Sequence, residues 1–411
     1  MNKTTLGLFI LLLFFTLVIG DCQPASQFMQ MHRGASEEKV SNSIQLDSFA
    51  KTIQNLVDVE EIVGAEALVV FQDKKLFHQG FGWKDREAGE KIKPGTIFNI
   101  RSMTKPMAAT VVHMLKEQGK LKLTDKIAQY LPSFSNSKSR HITIEDMLLH
   151  RAGYEQGSPG KSWRQYSSLQ AMADYWGQQG PSLPADGKWS YADAHADVLG
   201  AVVEQITGKN AGQVLEEAIF QPLQLKETYI GQTEDKELRD KTAIIYRGKQ
   251  GDWNRLWSPM DQDPLYPFPM YAQSVFSSAT DYAKFLQLWM NGGHWNGQSI
   301  ISKVSIQSAF SNRQEIVIPP GFKVPVATGK ALYYGHFWGF SLEKDAPFGT
   351  IPFVFTHHGS DGTAAYAFPH LQCIVIIMTQ SRGMTVLPDI EEAIMQYIIH
   401  PINSSRDERD H

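Results

Sequence analysis

The chain has 411 residues, of which 42% are hydrophobic and 20% charged, the composition of a folded globular protein and not of a disordered, collagen-like or multi-span membrane chain. Thirty-nine Lys and Arg stand against 43 Asp and Glu, a formal charge of −4 without any long basic run, so nucleic acid is excluded as an expected partner. The length suits two or three average domains or one large hydrolase core.

Lys3 and the apolar stretch Leu6–Ile19, closed by Gly20, read as a secretory leader over residues 1–20. This 14-residue stretch falls short of the roughly 20 that a membrane-crossing helix needs. The protein is therefore expected to be exported, periplasmic or secreted, with no transmembrane span in the mature chain. Cys22 raises lipid anchoring as an alternative, which Asp21 before it fits poorly. Cys373 reads as a buried strand residue, and two cysteines exclude a disulfide-built scaffold.

Residues 21–45 are polar and aperiodic and read as a linker. Leu46, Phe49, Ala50, Ile53, Leu56 and Val57 then recur at helical spacing. Ala65–Gln72 and Lys75–Trp83, separated by Asp73 and Lys74, predict an antiparallel hairpin. From Ser102 to Leu121 the apolar residues leave little polar surface, which predicts a helix through the core. Residues 123 to about 260 read as mainly helical, for example Asp197–Thr207 and Ala211–Ile219. Strand character returns at Tyr334–Leu342, Phe353–His357, Ala364–Phe368 and Cys373–Thr379. A last helix, Asp389–Ile399, precedes a charged tail, residues 403–411, expected to be disordered. Strands at both ends with helices between them imply an α+β fold. One antiparallel sheet is assembled from the two ends of a 46–402 domain, flanked by helices, with a helical insertion over about 123–260.

Ser102-Met103-Thr104-Lys105 puts a hydroxyl and an amine one turn apart on one helical face, where a proton can pass between them. The same spacing begins at Ser36, Ser48, Ser135, Ser158 and Ser341, so spacing alone decides nothing. Only Ser102 opens a long apolar helix, with Pro106 in a first turn where a missing N–H costs little. A lysine buried there is expensive unless its charge is shared, which favours a functional reading. Further on lie Tyr191-Ala192-Asp193 and, between two strands, His357-His358-Gly359-Ser360-Asp361-Gly362-Thr363.

In that order these segments resemble the three active-site motifs of the serine β-lactamase-like family, which holds class C β-lactamases, DD-peptidases, D-aminopeptidases and esterases. The likeness extends to Phe98-Asn99-Ile100-Arg101, Gly119-Lys120-Leu121, Ile142–Gly153, Val202–Thr228 and Asp281–Gly297. It thus covers most of residues 60–380. The resemblance implies a β-lactamase/transpeptidase-like fold and acyl transfer without a metal or organic cofactor. Ser102 is then the nucleophile on a small-molecule or peptide ester or amide carbonyl, Lys105 and Tyr191 manage its proton, and the backbone N–H groups of Ser102 and Ser360 form the oxyanion hole. A serine hydroxyl does need a proton acceptor near neutral pH, help typically worth about 10²–10⁴ in rate.

Two departures bear on the substrate. Asp193 stands where the family usually has Asn, and a carboxylate can accept but not donate to a substrate carbonyl. Its charge is expected to keep Lys105 protonated and thereby to ease ionisation of Tyr191. His357, in the motif that ends at Gly359, stands where many β-lactamases have Lys, so binding of a substrate carboxylate is expected to weaken as the ring loses its proton. An esterase, D-aminopeptidase or peptidoglycan-related peptidase is thus expected ahead of an efficient β-lactamase. Met270–Ser277 also departs from the family's Gly-rich turn, implying a narrower or more aromatic pocket wall.

Two rival readings remain. A zinc hydrolase using His357, His358 and Asp361 is disfavoured, since adjacent strand residues face opposite sides and no His-Glu-x-x-His is present. A catalytically weak or inactive penicillin- or peptidoglycan-binding module of the same fold is the second. His141 and His150 read as structural histidines, and Tyr333, Tyr334, Phe337 and Trp338 as strand core. Trp253–Tyr271 fits a substrate groove and a rigid packed loop equally well.

Overall fold

The computed structural model describes residues 43–407, apart from 158–161, 184–186, 262, 318–323 and 328. The leader, Cys22 and all but the end of the linker lie outside the described residues.

Helix α1 (Leu46–Asp58) buries Phe49, Ile53 and Leu56 on one face, the periodicity read from the sequence. Strands β1 (Gly64–Phe71) and β2 (Lys74–Asp85) follow as an antiparallel hairpin. Its turn is Gln72-Asp73, one residue earlier than expected, and both have positive φ, as a two-residue turn matched to strand twist requires. The main sheet adds β3 (Glu90–Lys91) and, from the other end of the chain, β4 (Arg313–Glu315), β5 (Ala331–Gly335), β6 (Trp338–Leu342), β7 (Val354–His358), β8 (Ala364–Phe368) and β9 (Cys373–Thr379). Its order is β4-β5-β6-β7-β8-β9-β1-β2-β3. The early strand β1 pairs antiparallel with the late strand β9, from Ala65 opposite Thr379 to Phe71 opposite Cys373.

Both central strands are buried throughout, so alternate residues feed two cores. Ala65, Ala67, Val69, Val375 and Ile377 pack with Phe49, Ile53, Ile390 and Ile394 from the terminal helices. Leu68, Val70, Ile374, Ile376 and Met378 face the helical body. Each fully buried Val, Leu or Ile contributes about 1.5–3 kcal/mol relative to exposure. Joining the chain ends therefore carries much of the stability, and the architecture is α+β.

The helical body contains α2 (Thr104–Glu117) and α3 (Asp193–Thr207). It is not all helix. Thr228–Ile230 joins Ile97–Asn99 and Val275–Ser278 in a small sheet, and Ile245–Lys249 forms a hairpin with Asp252–Trp257. Tyr246 and Trp253 bury against Val63, a long-range contact that short aromatic runs do not announce. The expected tail is helical as far as Asp407, because Ile402 is fully buried in the terminal core. Among the described residues no helix is long and apolar enough to cross a membrane.

Candidate active site

Ser102 lies in a 3₁₀ turn, Arg101–Met103, that runs directly into α2. The first turn of a helix leaves N–H groups without intrahelical acceptors, which makes the Ser102 amide available to an oxyanion and lets Pro106 sit close behind. Lys105 is fully buried, and its Nζ donates to Ser102 Oγ at 3.0 Å, Asp193 Oδ1 at 2.7 Å and the Ala272 carbonyl at 3.0 Å. Of the other Ser-x-x-Lys pairs, those at Ser48, Ser135 and Ser341 end in exposed lysines, and those at Ser36 and Ser158 lie outside the described residues. Burial alone weakens the hold of Lys105 on its proton. The Asp193 carboxylate and the Tyr191 oxygen more than reverse this, and the ammonium is held above its ordinary range.

Asp193 opens α3, where the helix N-terminus favours a negative charge. Gln156 fixes it from a loop by accepting from the Asp193 N–H at 2.9 Å and donating to Oδ2 at 2.8 Å. Lys105 offsets the burial of this carboxyl and keeps it below the usual carboxylate range. Tyr191 turns its ring to Lys105 Nζ, 4.9 Å from the ring centre, and its phenol interacts with Lys105 and Ser102. Burial is the largest influence on that phenol and raises it; Lys105 pulls it down, Asp193 pushes it up, and the balance stays above the ordinary value. The expected easing of Tyr191 ionisation is present as the Lys105 contribution, but desolvation outweighs it.

Behind Tyr191 two buried histidines set the backbone. His150 lies against Tyr191 with ring centres 4.4 Å apart and the planes tilted by 33°, accepts the Ala192 N–H at 3.3 Å on Nδ1 and meets His195 Nδ1 at 2.8 Å. Since His150 Nδ1 is the acceptor, the proton between the rings belongs to His195, which also reaches the Ala192 carbonyl at 3.1 Å. Desolvation lowers both, His195 to about 4, so the pair is neutral. His150 is thus structural, as expected, while His141 is exposed.

The third motif closes the site. A Cβ on Gly359 would stand 2.1 Å from Thr363 Oγ1 and 2.6 Å from the Ile100 carbonyl, so only glycine lets this turn seat Ser360 against the residues preceding Ser102. Arg101, with φ +48°, is buried and donates to Asp361 at 2.6 Å and Tyr266 at 2.5 Å, tying the first motif to the third. Arg382 reaches Asp361 at 3.2 Å and Ser360 Oγ at 3.4 Å.

His357 Nδ1 meets the His358 carbonyl at 3.0 Å and Nε2 meets the Tyr334 hydroxyl at 3.2 Å. Desolvation, with Lys105 adding to it, pushes the ring down to about 3. It is neutral in the working range, which corrects the expectation of a ring that titrates near neutrality. Any carboxylate-bearing substrate is therefore expected to show no His357-dependent change in KM between about pH 5 and 8. A KM that climbs over this interval in the wild type and stays flat in His357→Asn would show a charged ring instead.

Ser102, Lys105, Tyr191, Asp193, His357, Gly359 and Ser360 thus come together. Tyr334 is buried in the core, as expected, and its hydroxyl also meets this cluster, while Gln156, the Ala272 carbonyl, His195 and Arg382 are contributors the sequence did not single out. Within Trp253–Tyr271, Trp253, Tyr266 and Tyr271 pack into the interior while Leu256 and Met260 are exposed. His357 faces Tyr334 while His358 reaches Glu391 at 3.6 Å, and among the described residues no three His, Cys, Asp or Glu gather to hold a metal. A cavity of about 450 Å³, bordered by Val70, Trp289, Phe310, Phe355 and Ile374, touches none of the cluster.

The family described as Beta-lactamase matches residues 49–396. Penicillin-binding protein 4 of Amycolatopsis lactamdurans is 25% identical over 325 residues, 77% of this chain and 78% of that one. Teichoic acid D-alanine hydrolase of Staphylococcus aureus is 30% identical over 163 residues, 39% of this chain and 40% of that one. Among solved structures, EstCE1, a hydrolase with promiscuous acyltransferase activity, superposes with a TM-score of 0.71 at 18% identity, over 87% of this chain and 99% of that one. The matched span takes in all three motifs and both chain ends of the sheet, and the chain belongs to the β-lactamase family as a serine hydrolase with the β-lactamase/transpeptidase-like fold.

Proposed function

We propose that the protein is an exported hydrolase that cleaves an ester or amide through a covalent acyl-enzyme at Ser102. The observation that carries this reading is the buried Lys105 ammonium, bound at once to Ser102 Oγ, Asp193 and the Ala272 carbonyl. An ammonium held above its ordinary range is a poor base, which leaves Tyr191 as the proton acceptor; burial holds its phenol above the ordinary value, so the reactive phenolate is a minor form, and Lys105 is the group that stabilises it. Ser102 Oγ attacks the carbonyl carbon as its proton passes to Tyr191. The Ser102 and Ser360 N–H groups hold the oxyanion. Collapse expels the alcohol or amine, which takes the proton back from Tyr191, and water repeats the sequence on the acyl-enzyme.

The substrate class follows from charge. Asp193 cannot donate to an acylamino carbonyl, and a neutral His357 offers no fixed cation to a carboxylate. Esters and D-aminoacyl amides, which need neither contact, fit better than β-lactams. Labelling with a fluorophosphonate tests the covalent step: one adduct on the peptide carrying Ser102, absent from Ser102→Ala, is expected. A panel of p-nitrophenyl esters, D-aminoacyl anilides and a chromogenic cephalosporin then ranks substrates. Labelling with no turnover of any of them would favour a binding module.

Asp193 opposes ionisation of Tyr191, so Asp193→Asn is expected to move the rising limb of the kcat/KM profile to lower pH while keeping the acceptor for Lys105. Each unit of displacement raises the phenolate fraction about tenfold. An unmoved profile would show that Asp193 and Tyr191 are not coupled.

A further inference from the structure

Asp197 lies one turn beyond Asp193 on α3 and is fully buried. Its Oδ1 accepts the N–H of Ala272 at 2.8 Å, and the carbonyl of that same residue accepts from Lys105 Nζ at 3.0 Å. One residue of the 270s segment is thus gripped from both sides, by a carboxyl on α3 and an ammonium on α2. Asp197 Oδ2 is also buried and has no hydrogen-bond partner among the described residues. An orphaned carboxyl oxygen is a costly way to fasten a loop, since a buried polar group without a partner gives up its water and gains nothing in return. The cost falls beside the atoms that carry the chemistry.

We propose that Asp197 is a positioning residue for the reaction at Ser102: it clamps the Ala272 peptide so that the carbonyl stays on Lys105, and it does so as a neutral acid. The inference rests on the acyl-enzyme reading above. Three kinds of group act on Asp197: Asp193 from its own helix, Lys105 from α2, and the Tyr271 and Ala272 amides from the 270s segment. Burial is the strongest influence and Asp193 adds to it, lifting the carboxyl to about 8 against the pull of the amides and Lys105. Ionisation sets a second negative charge beside Lys105 and makes the Tyr191 phenolate harder to form. The clamp therefore works at neutral pH and turns against catalysis above it.

Wild type, Asp197→Asn and Asp197→Ala, each as the full chain, test this. Thermal unfolding reads the carboxyl without turnover. A folded value of about 8 against about 3.9 unfolded means the folded state keeps a proton the unfolded state has lost, so stability falls as pH rises from about 4 to 8 and levels off above. Asparagine, which still accepts from Ala272, lacks that decline. Its Tm is expected to exceed the wild-type value by a margin that grows up to about pH 8. In kcat/KM for a p-nitrophenyl ester, Asp197→Asn is expected within about threefold of wild type at neutral pH and without the wild-type bend near pH 8, whereas Asp197→Ala falls about tenfold or more.

A Tm margin that does not change with pH overturns the neutral acid. Equal activity in the Ala and Asn variants overturns the clamp. If no ester is turned over, the Tm margin and the rate of fluorophosphonate labelling still decide on Asp197, while absence of labelling strikes the acyl-enzyme reading alone.

Discussion

Ser102→Ala is expected to reduce kcat/KM toward the best ester of the panel by about 10⁴-fold or more, because it removes the atom that forms the covalent bond and not a helper that water can replace. What survives should be the contribution of the Ser102 and Ser360 amides and of binding, which remain when a nucleophile is removed. Folding should be nearly untouched. Lys105 loses one acceptor but keeps Asp193 and the Ala272 carbonyl, so no buried donor is stranded. The Tm is therefore expected within a few degrees of wild type, on a scale where about 1 kcal/mol shifts a large domain by 2–4 °C. A variant that keeps a tenth of the activity with an intact Tm would remove Ser102 from the mechanism.

The features legible in the sequence share a physical trait: they are written in local periodicity or in motifs a few residues long. The face of α1 declares itself through a spacing of 3.6, while the hairpin of β1 and β2, the buried helix behind Ser102 and the late strands β6 to β9 declare themselves as apolar, aromatic or β-branched runs. The three motifs add Ser102, Lys105, Tyr191, Asp193, His357, Gly359 and Ser360, and these converge because β7 runs beside the helix that Ser102 opens. What was not legible depends on contacts without a local pattern. The Ala272 carbonyl on Lys105 is a backbone atom, which any residue supplies. Gln156 holds Asp193 from 37 residues away on an irregular loop. The partnership of His150 with His195 exists only once folding pairs them, and that the core residue Tyr334 also turns its hydroxyl to His357 has no local pattern. The charge states were least legible of all. A histidine titrates near neutrality and an aspartate near 4 in isolation, yet desolvation takes His357 to about 3 and Asp197 to about 8, and desolvation is a property of the packed state.

Lys105→Met is the second large effect, and it separates catalysis from stability. Methionine fills most of the lysine volume without charge, so the core around α2 keeps its packing. The Tyr191 phenolate loses the cation that stabilises it, and Ser102 loses a donor at 3.0 Å. A loss of about 10²–10⁴ in kcat/KM is expected, with the rising limb of the pH profile displaced to higher pH. The stability change has a sign that pH can check. Asp193 is held below the usual carboxylate range, so its share of the ion pair is present above about pH 3.9 and is lost as pH falls through the folded value. Lys105 is held above its ordinary range, so its share is present below about pH 10.4 and is lost as pH rises through the folded value. Both shares are intact at neutrality. Removing one member of a fully buried pair costs about 3–5 kcal/mol, but Asp193 is 26% exposed and keeps Gln156, so about 1–3 kcal/mol is expected. The Tm difference between wild type and Lys105→Met should therefore be largest around neutral pH and shrink in acid, where protonation of Asp193 abolishes the pair in the wild type as well. A difference that stays constant into acid would mean that packing, and not the charge on Asp193, sets the role of Lys105 in the fold.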